Sequence, residues 1–404
     1  MPLMDIDTTL TEDERAVRDV AQRFAADVLR PVGAKLDQMA DPADVIAPAS
    51  PLWDVFRKYR ELQLGAVDPE MVATNPAQVA RMRFLISEQL GWGDAGLAIT
   101  LSVAGFHTWF AQLSGRAELI ERYAAPDNAD IGCWAITEPD HGSDVLMAAH
   151  HSDGRFLNSR VRANCTAHRD GDDYVINGQK AAWVSNGTIA TVATLFCAID
   201  AGNGSPGGGV CLVPLDAPGV SRGKPLNKLG QRALNQGEIF FDNVRIPAAH
   251  MLVGPETYSP MVEMVLALAN ASMGALFVGL ARAAFELALQ YAKERVQGDA
   301  PIFAHQSVQG RLFKMFMNVE AARSLAWRVT LFNATNLPQV QFSIASKVFG
   351  TTTAFETASA ALQIFGGNGL SKEYPIEKIL RDARASMIED GCNEVLGLLA
   401  ATKL

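Results

Sequence analysis

The sequence predicts a mainly α protein with a central β-domain: an N-terminal helical domain over 1–130, a middle β-barrel-like domain over 131–250, and a C-terminal four-helix bundle over 251–404. Three observations predict it. Apolar residues recur at helical spacing at both ends of the chain. Between Ile131 and Pro247 the pattern changes to short β-type runs separated by turn residues. The last third then carries four long apolar-faced stretches, the signature of an antiparallel bundle.

The elements follow in order. Thr11 and Glu14 form a capping box. Val17, Val20, Ala21, Phe24 and Val28 then recur on one face, and Pro31 is expected to close that helix. Leu52 to Leu64 and Val79 to Gly91 repeat the pattern, and a further apolar stretch runs from Leu97 to Leu113. In the middle region Tyr174-Val175-Ile176 precedes Asn177-Gly178, a hairpin signal. Ala193 to Cys197, Val210 to Val213 and Ile239 to Phe241 read as strands, and Gly202 to Gly209 as a loop. The bundle helices are expected over Tyr258 to Arg295, His305 to Leu331, Val340 to Phe365 and Pro375 to Lys403.

Composition excludes several classes. With 404 residues, 49% of them hydrophobic, the chain can bury a sizeable core and is not disordered. Its net charge of −9 and lack of a Lys/Arg cluster argue against a nucleic-acid partner. The five cysteines, Cys133, Cys165, Cys197, Cys211 and Cys392, contain no CxxC pair, so no metal site is expected. The N-terminus has neither a basic nor an apolar leader region, so the expected location is cytoplasmic. The apolar run from Met264 to Leu280 carries Asn270, Ser272 and two glycines, and reads as a buried helix rather than a membrane span.

Two segments carry the chemistry. One is Cys133-Trp134-Ala135-Ile136-Thr137-Glu138-Pro139-Asp140-His141-Gly142-Ser143-Asp144. The other begins Gln363-Ile364-Phe365-Gly366-Gly367-Asn368-Gly369. It continues through Glu373-Tyr374-Pro375 and Arg381-Asp382-Ala383 to Glu389-Asp390-Gly391. By pattern alone each is turn chemistry: a strand running into a hydroxyl-bearing turn, and a Gly-rich helix break. Together, in this order and spacing, they resemble the acyl-CoA dehydrogenase family of FAD-dependent enzymes. The resemblance extends over nearly the whole chain. It includes Asn177 to Gly187, similar to a flavin-contacting strand, and Lys228-Leu229-Gly230 through Pro247, similar to the end of the β-domain.

The resemblance implies a set of roles. Trp134, Ile136, Thr137, Gly142 and Ser143 would contact the flavin, Trp183 would pack on the isoalloxazine, and Ser185 would sit beside N5. A planar apolar ring system with a polar edge calls for aromatic partners and hydroxyl or backbone donors. Ser143 and Gly391 would also contact the acyl-CoA, and Cys392 and Glu394 the cofactor. Arg295, Gln306, Gln363, Gly366 and Gly367 match positions that reach the adenine-nucleotide half of FAD on a neighbouring subunit. An Arg offers pyrophosphate planar, always-charged donors. Where the family has an aromatic three residues after this Arg, this chain has Gly298. The segment between Asp144 and Tyr174, with His150, His151, Arg160, Arg162 and His168, is longer than in typical relatives and is expected to shape the mouth for the carrier.

The base is where the sequence departs. The family's commonest base is the Glu of a Tyr-Glu-Gly-Thr stretch. Here the stretch reads Glu389-Asp390-Gly391-Cys392, so Asp390 stands at the base position and Glu389 at the Tyr. Asp is shorter by roughly 1.5 Å, and a base must come within about 3 Å of its proton. Some relatives keep the base on the long helix at the position of Met264. Glu263 is adjacent, but one helical step turns a side chain by about 100°.

The reaction implied is α,β-desaturation of an acyl thioester: a carboxylate removes the α-proton while the β-hydrogen leaves as hydride to flavin N5. The implied partners are an acyl-CoA, electron-transferring flavoprotein as acceptor, and further copies of the chain in a homotetramer. The alternative is a nitroalkane-oxidase-like flavoprotein, which shares the fold and uses an Asp base. Those proteins pair it with an Arg seven positions downstream, where this chain has Gly397. A non-catalytic flavin- or CoA-binding relative is the remaining alternative.

Overall fold

The computed structural model describes residues 9–66, 69–125, 127–144, 163–200 and 206–404. His150, His151, Arg160 and Arg162 lie outside the described residues, as do 202–205 of the expected loop. Helices fill the chain from Glu12 to Tyr123, strands from Gly132 to Val253, and helices again from Pro255 to Ala401.

The first helix (Glu12–Phe24) starts as its sequence requires. Thr11 Oγ1 accepts the Glu14 N–H and Glu14 Oε2 accepts the Thr11 N–H, at 3.3 and 2.9 Å. Pro31 does not end the helical path, contrary to the sequence expectation. A single π turn (Ala25–Leu29) leads straight into a second helix (Arg30–Asp37). Pro31 sits in the first turn of that helix, and the π turn directly before it is where the ladder adjusts to the missing N–H.

The β-region is one twisted sheet. Its strands are β1 (Gly132–Ala135), β2 (Thr166–Asp170), β3 (Asp173–Lys180), β4 (Val192–Asp200), β5 (Pro206–Pro214), β6 (Val220–Arg222), β7 (Ile239–Pro247) and β8 (Met251–Val253). They lie in the order β6-β7-β3-β2-β4-β5-β8, with β1 beside β4. β1 and β2 share one edge of β4 in succession: β1 pairs with Val192 to Leu195 and β2 with Ala198 to Asp200, both parallel. The chain therefore leaves the sheet at Ala135 and rejoins it at Thr166. The motif around Thr137 emerges at that split.

Asn177-Gly178 is not the expected hairpin. β3 runs straight through it, and the register against β7 shifts between Ile176 and Gly178. Gly178 has φ +134°, and a Cβ there would lie 2.6 Å from the Cα of Cys165. The dipeptide is a bulge, and the real β2–β3 hairpin turns at Gly171-Asp172. The strand β5 likewise starts at Pro206, so 206–209 belong to the sheet rather than to the expected loop.

The long helix (Pro255–Glu294) is the axis of the last third, with the second (Gln306–Thr335) and third (Val340–Phe365) bundle helices against it. Two glycines let it approach the N-terminal helix Pro76–Gly93 closely. A Cβ on Gly279 would meet the Glu88 carbonyl at 2.0 Å, and one on Gly91 the Leu276 carbonyl at 1.9 Å. The long helix alone, among the described residues, is long and apolar enough to span a membrane, and 78% of its apolar window is buried inside the protein. The expected helix Pro375 to Lys403 is two helices, Ile376–Ser386 and Asn393–Ala401. The break between them holds Glu389, Asp390 and Gly391.

Candidate active site

The break is a left-handed turn. Asp390 has φ +53° and Gly391 φ +92°. Asp tolerates this region better than most side chains, and Gly adopts it without penalty. The turn is tied down on several sides. The Cys392 N–H donates to Ser143 Oγ at 3.0 Å, joining it to the segment that left the sheet after β1. Lys347 Nζ, from the third bundle helix, donates to the Gly391 carbonyl and to Asn393 Oδ1, both at 2.8 Å. Gln231 Nε2 donates to Glu389 Oε1 at 2.7 Å.

The β-region supplies the facing wall. The Ala181 N–H donates to the Thr137 carbonyl at 2.9 Å. Gln236 Nε2 donates to the Trp183 carbonyl at 3.1 Å and to Ser185 Oγ at 3.3 Å. Lys228 Nζ donates to Gln236 Oε1 and to the Leu234 carbonyl, each at 2.8 Å. The loop that carries Lys228, Gln231 and Gln236 therefore links Trp183 and Ser185 to Glu389. The structure gathers Thr137, Ser143, Trp183, Ser185, Glu389, Asp390, Gly391 and Cys392 into one connected set. Glu394 lies exposed on the first turn of the helix Asn393–Ala401.

Both carboxylates are perturbed. Their side chains retain some surface, but the carboxylates are desolvated. Burial pushes Asp390 up to about 6, against the lowering effect of the Lys347 ammonium. Burial first, then the Asp390 charge, pushes Glu389 up to about 7, opposed by Gln231, Lys347 and Lys228. Desolvation lowers Lys228 to about 7 and Lys347 to about 8. A carboxylate poised near neutrality is suited to taking a proton and giving it up again. Glu263 is placed differently: it pairs with Lys403 Nζ at 3.1 Å, and both side chains are partly exposed.

Glu138, inside the same motif, has another task. It is fully buried, and its Oε1 accepts from Lys180 Nζ at 2.6 Å and from the Cys165 N–H at 3.0 Å. That ion pair fixes the segment after β1 against β3, since Lys180 also donates to the Ile136 carbonyl at 3.1 Å.

A second cluster lies at the far end of the bundle. Arg295, Gln363, Gly366 and Gly367 line one cleft of about 620 Å³, with Gly298, His305 and Arg311 on its rim. Gln306 does not line it, although its neighbours His305 and Ser307 do. Gly366 has φ +60°, and no atom lies within 4 Å of where a Cβ would stand. Gly298 and Asp299, both at positive φ, form the two-residue turn of the small hairpin after the long helix. That accounts for the missing aromatic: this turn type favours Gly. On the third bundle helix Lys347 and Gln363 are sixteen residues apart, roughly 24 Å at 1.5 Å per residue. The two clusters are thus separate on one chain.

Three observations fit a flavin dinucleotide. Trp134 Nε1 is buried without a hydrogen-bond partner. The Trp183 indole is 58% exposed, beside Ser185 on the wall that bears Thr137. The second cleft brings together two guanidiniums and an open left-handed glycine. A large planar heterocycle would satisfy the first two, and phosphates the third.

Sequence reasoning passed over Lys347, Lys228, Gln231 and Gln236. Lys347 carried a signal: it is the only charge between Val340 and Phe355, amid small and apolar residues. The other three sit in a polar loop and carried none.

Comparison with known proteins identifies the family and the fold. The family models for the acyl-CoA dehydrogenase middle domain and C-terminal domain match residues 133–244 and 260–404. Benzylmalonyl-CoA dehydrogenase of Aromatoleum aromaticum is 32% identical, with 99% of this chain and 100% of that protein covered. A probable acyl-CoA dehydrogenase of Bacillus subtilis is 30% identical, with 98% of each chain covered. The butyryl-CoA dehydrogenase structure of Megasphaera elsdenii superposes with a TM-score of 0.84 at 26% identity, over 99% of both chains. A glutaryl-CoA dehydrogenase of Mycobacterium smegmatis, solved in complex with FADH2, superposes with a TM-score of 0.80 at 25% identity, over 99% of this chain and 96% of that one. The fold and these matches define a flavoprotein dehydrogenase. The chain belongs to the acyl-CoA dehydrogenase family.

Proposed function

We propose that the protein desaturates an acyl-CoA between its α and β carbons, with Asp390 as the base. The observation that carries this reading is the Asp390 turn, held against Ser143 and carrying a carboxylate raised to about 6. Asp390 accepts the α-proton, and its backbone N–H is the donor for the thioester carbonyl. That hydrogen bond stabilises the enolate-like charge as it develops. Glu389, held by Gln231, supports the turn and supplies the neighbouring negative charge that helps keep the pair poised near neutrality. Thr137, Trp134, Ile136, Gly142, Trp183 and Ser185 would hold the flavin ring, which when bound supplies the hydride acceptor. Arg295, Gln363, Gly366 and Gly367 would hold the nucleotide end from a second copy. The separation of the two clusters on one chain supports that sharing, which requires at least a dimer; the proposed assembly is the homotetramer that the family resemblance implies. Electron-transferring flavoprotein is the proposed acceptor and the cytoplasm the proposed location.

Anaerobic flavin bleaching over a panel of acyl-CoAs tests the reading. At least one should bleach the flavin within a single turnover, and nitroalkanes should drive no oxygen consumption. The reverse pattern would establish the nitroalkane chemistry instead. Bleaching by neither would leave a non-catalytic binder.

The pH profile has a stated sign. Asp390 must be ionised to accept a proton, so the reduction rate should rise with pH through about 6 to 7 and level off above it. A rate that falls over that window would contradict an ionised base. Separately, Arg295→Ala should weaken FAD retention with the fold intact. Charge-assisted bonds to phosphate contribute about 1.5–3 kcal/mol each, or roughly 10- to 100-fold in affinity. Parental flavin occupancy after dialysis would reduce Arg295 to a helix-end cation.

A further inference from the structure

A lysine with no exposed surface needs an explanation, because burying an ammonium is costly unless it is paired. Lys347 is such a residue, on the third bundle helix. Its Nζ gives one hydrogen to the Gly391 carbonyl and one to Asn393 Oδ1. Asn393 is fixed in turn: its Nδ2 donates to Thr351 Oγ1 at 3.0 Å, and Thr351 Oγ1 donates to the Lys347 carbonyl at 2.8 Å. A closed ring of bonds thus joins one turn of the helix to the two residues that follow Asp390 and Cys392. The acids facing the ammonium are Asp390, Glu389, Cys392 and Glu394, all on the turn and the helix that follows it, while Lys228 faces Glu389 from the β-region loop.

We propose that Lys347 is a positioning residue for the desaturation: its ammonium clamps the left-handed turn at Gly391 and Asn393, and so fixes where the Asp390 carboxylate points. The proposal rests on the reading of Asp390 as the base. Two properties are combined in one group. The N–H donors hold the backbone in a conformation that a non-glycine residue adopts only with support. The positive charge favours the ionised form of the carboxylate that must accept the proton. A hydrogen bond from a neutral side chain would supply the first without the second.

The test uses the FAD-loaded enzyme and the variants Lys347→Met and Lys347→Gln. The first readout is independent of activity. Cys392 is half-buried on the turn, while Cys133, Cys165, Cys197 and Cys211 are buried. In Lys347→Met, a thiol reagent should label Cys392 about tenfold faster or more, because local opening frees the turn. The four buried thiols should stay unlabelled, which separates a released turn from general unfolding. The second readout is single-turnover flavin reduction against pH. Its rate should fall by about tenfold or more, and its midpoint should move up by about one pH unit as the neighbouring positive charge is lost. Lys347→Gln, which keeps a donor, should return labelling toward the parent while retaining the raised midpoint.

Parental labelling and a parental midpoint in Lys347→Met would overturn the proposal. Should that variant not fold, Asn393→Ala removes one of the two acceptors and leaves the charge. Faster Cys392 labelling there supports the clamp, and unchanged labelling overturns it. If Asp390→Asn keeps its reduction rate while Lys347→Met still frees Cys392, the base assignment falls and the clamp on the turn stands.

Discussion

Asp390→Asn should cut single-turnover flavin reduction by about 10²-fold or more, the scale of losing a general base. The substitution preserves size and leaves the backbone contacts of the turn in place, so flavin content should not change. Glu389→Gln and Glu263→Gln should each stay within about tenfold of the parent. For Glu389 the reason is its bond to Gln231, which an amide can also make after reorienting. For Glu263 it is the pairing with Lys403, away from the turn. Asp390→Glu is the sharpest variant, because it restores the family's longer side chain. If the turn holds its backbone close to the substrate to suit the shorter acid, the added methylene crowds the α-carbon, and overpacking costs about 1–3 kcal/mol. A faster Glu variant would instead mean that the pocket is built for the longer acid. Reduction that survives Asp390→Asn but is abolished by Glu263→Gln would move the base to the long helix.

The parts of this protein that were legible in its sequence are those governed by local physics. The capping box at Thr11 and Glu14 and the span Val340 to Phe365 depend on neighbours a few residues away, and the structure forms both as read. The misreadings have tertiary causes. Asn177-Gly178 has the composition of a turn, but β7 pairs on both sides of it and converts it to a bulge. The helix expected over Pro375 to Lys403 is interrupted at Asp390-Gly391, a dipeptide that permits a left-handed turn, and Lys347, Gln231 and Ser143 hold Glu389 to Cys392 in it. The same holds for the site. Thr137, Ser143, Trp183 and Asp390 were visible as motif positions. Gln231 was not, since its partner lies 158 residues away, and Lys347 showed only as an isolated charge whose partner, 44 residues away, the sequence does not name.

Lys378→Met should produce the largest loss of stability among single substitutions in the framework around the site. Lys378 Nζ lies 2.6 Å from Asp94 Oδ2 and 2.6 Å from Asp382 Oδ2, with both carboxylates buried. Asp94 also caps the helix Ala95–Ala104 through the Leu97 N–H, and Asp382 accepts the Gln231 N–H. One ammonium therefore joins the N-terminal helices, the last third of the chain, and the loop that reaches Glu389. Removing it leaves two buried carboxylates without their cation, and breaking such a pair costs about 3–5 kcal/mol. The loss has a pH signature. Burial already raises Asp382, and Asp94 raises it further, while Lys378 opposes both. Without Lys378 the Asp382 carboxyl should titrate higher still in the folded state, further above its unfolded value of about 4. A group raised on folding contributes stability below its unfolded value and loses it as pH rises through the folded one. The gap between parent and variant should therefore be wide at pH 8 and narrower at pH 5, read as the denaturant midpoint at each pH. A gap of equal size at both would assign the loss to repacking around the new side chain rather than to the uncompensated charges.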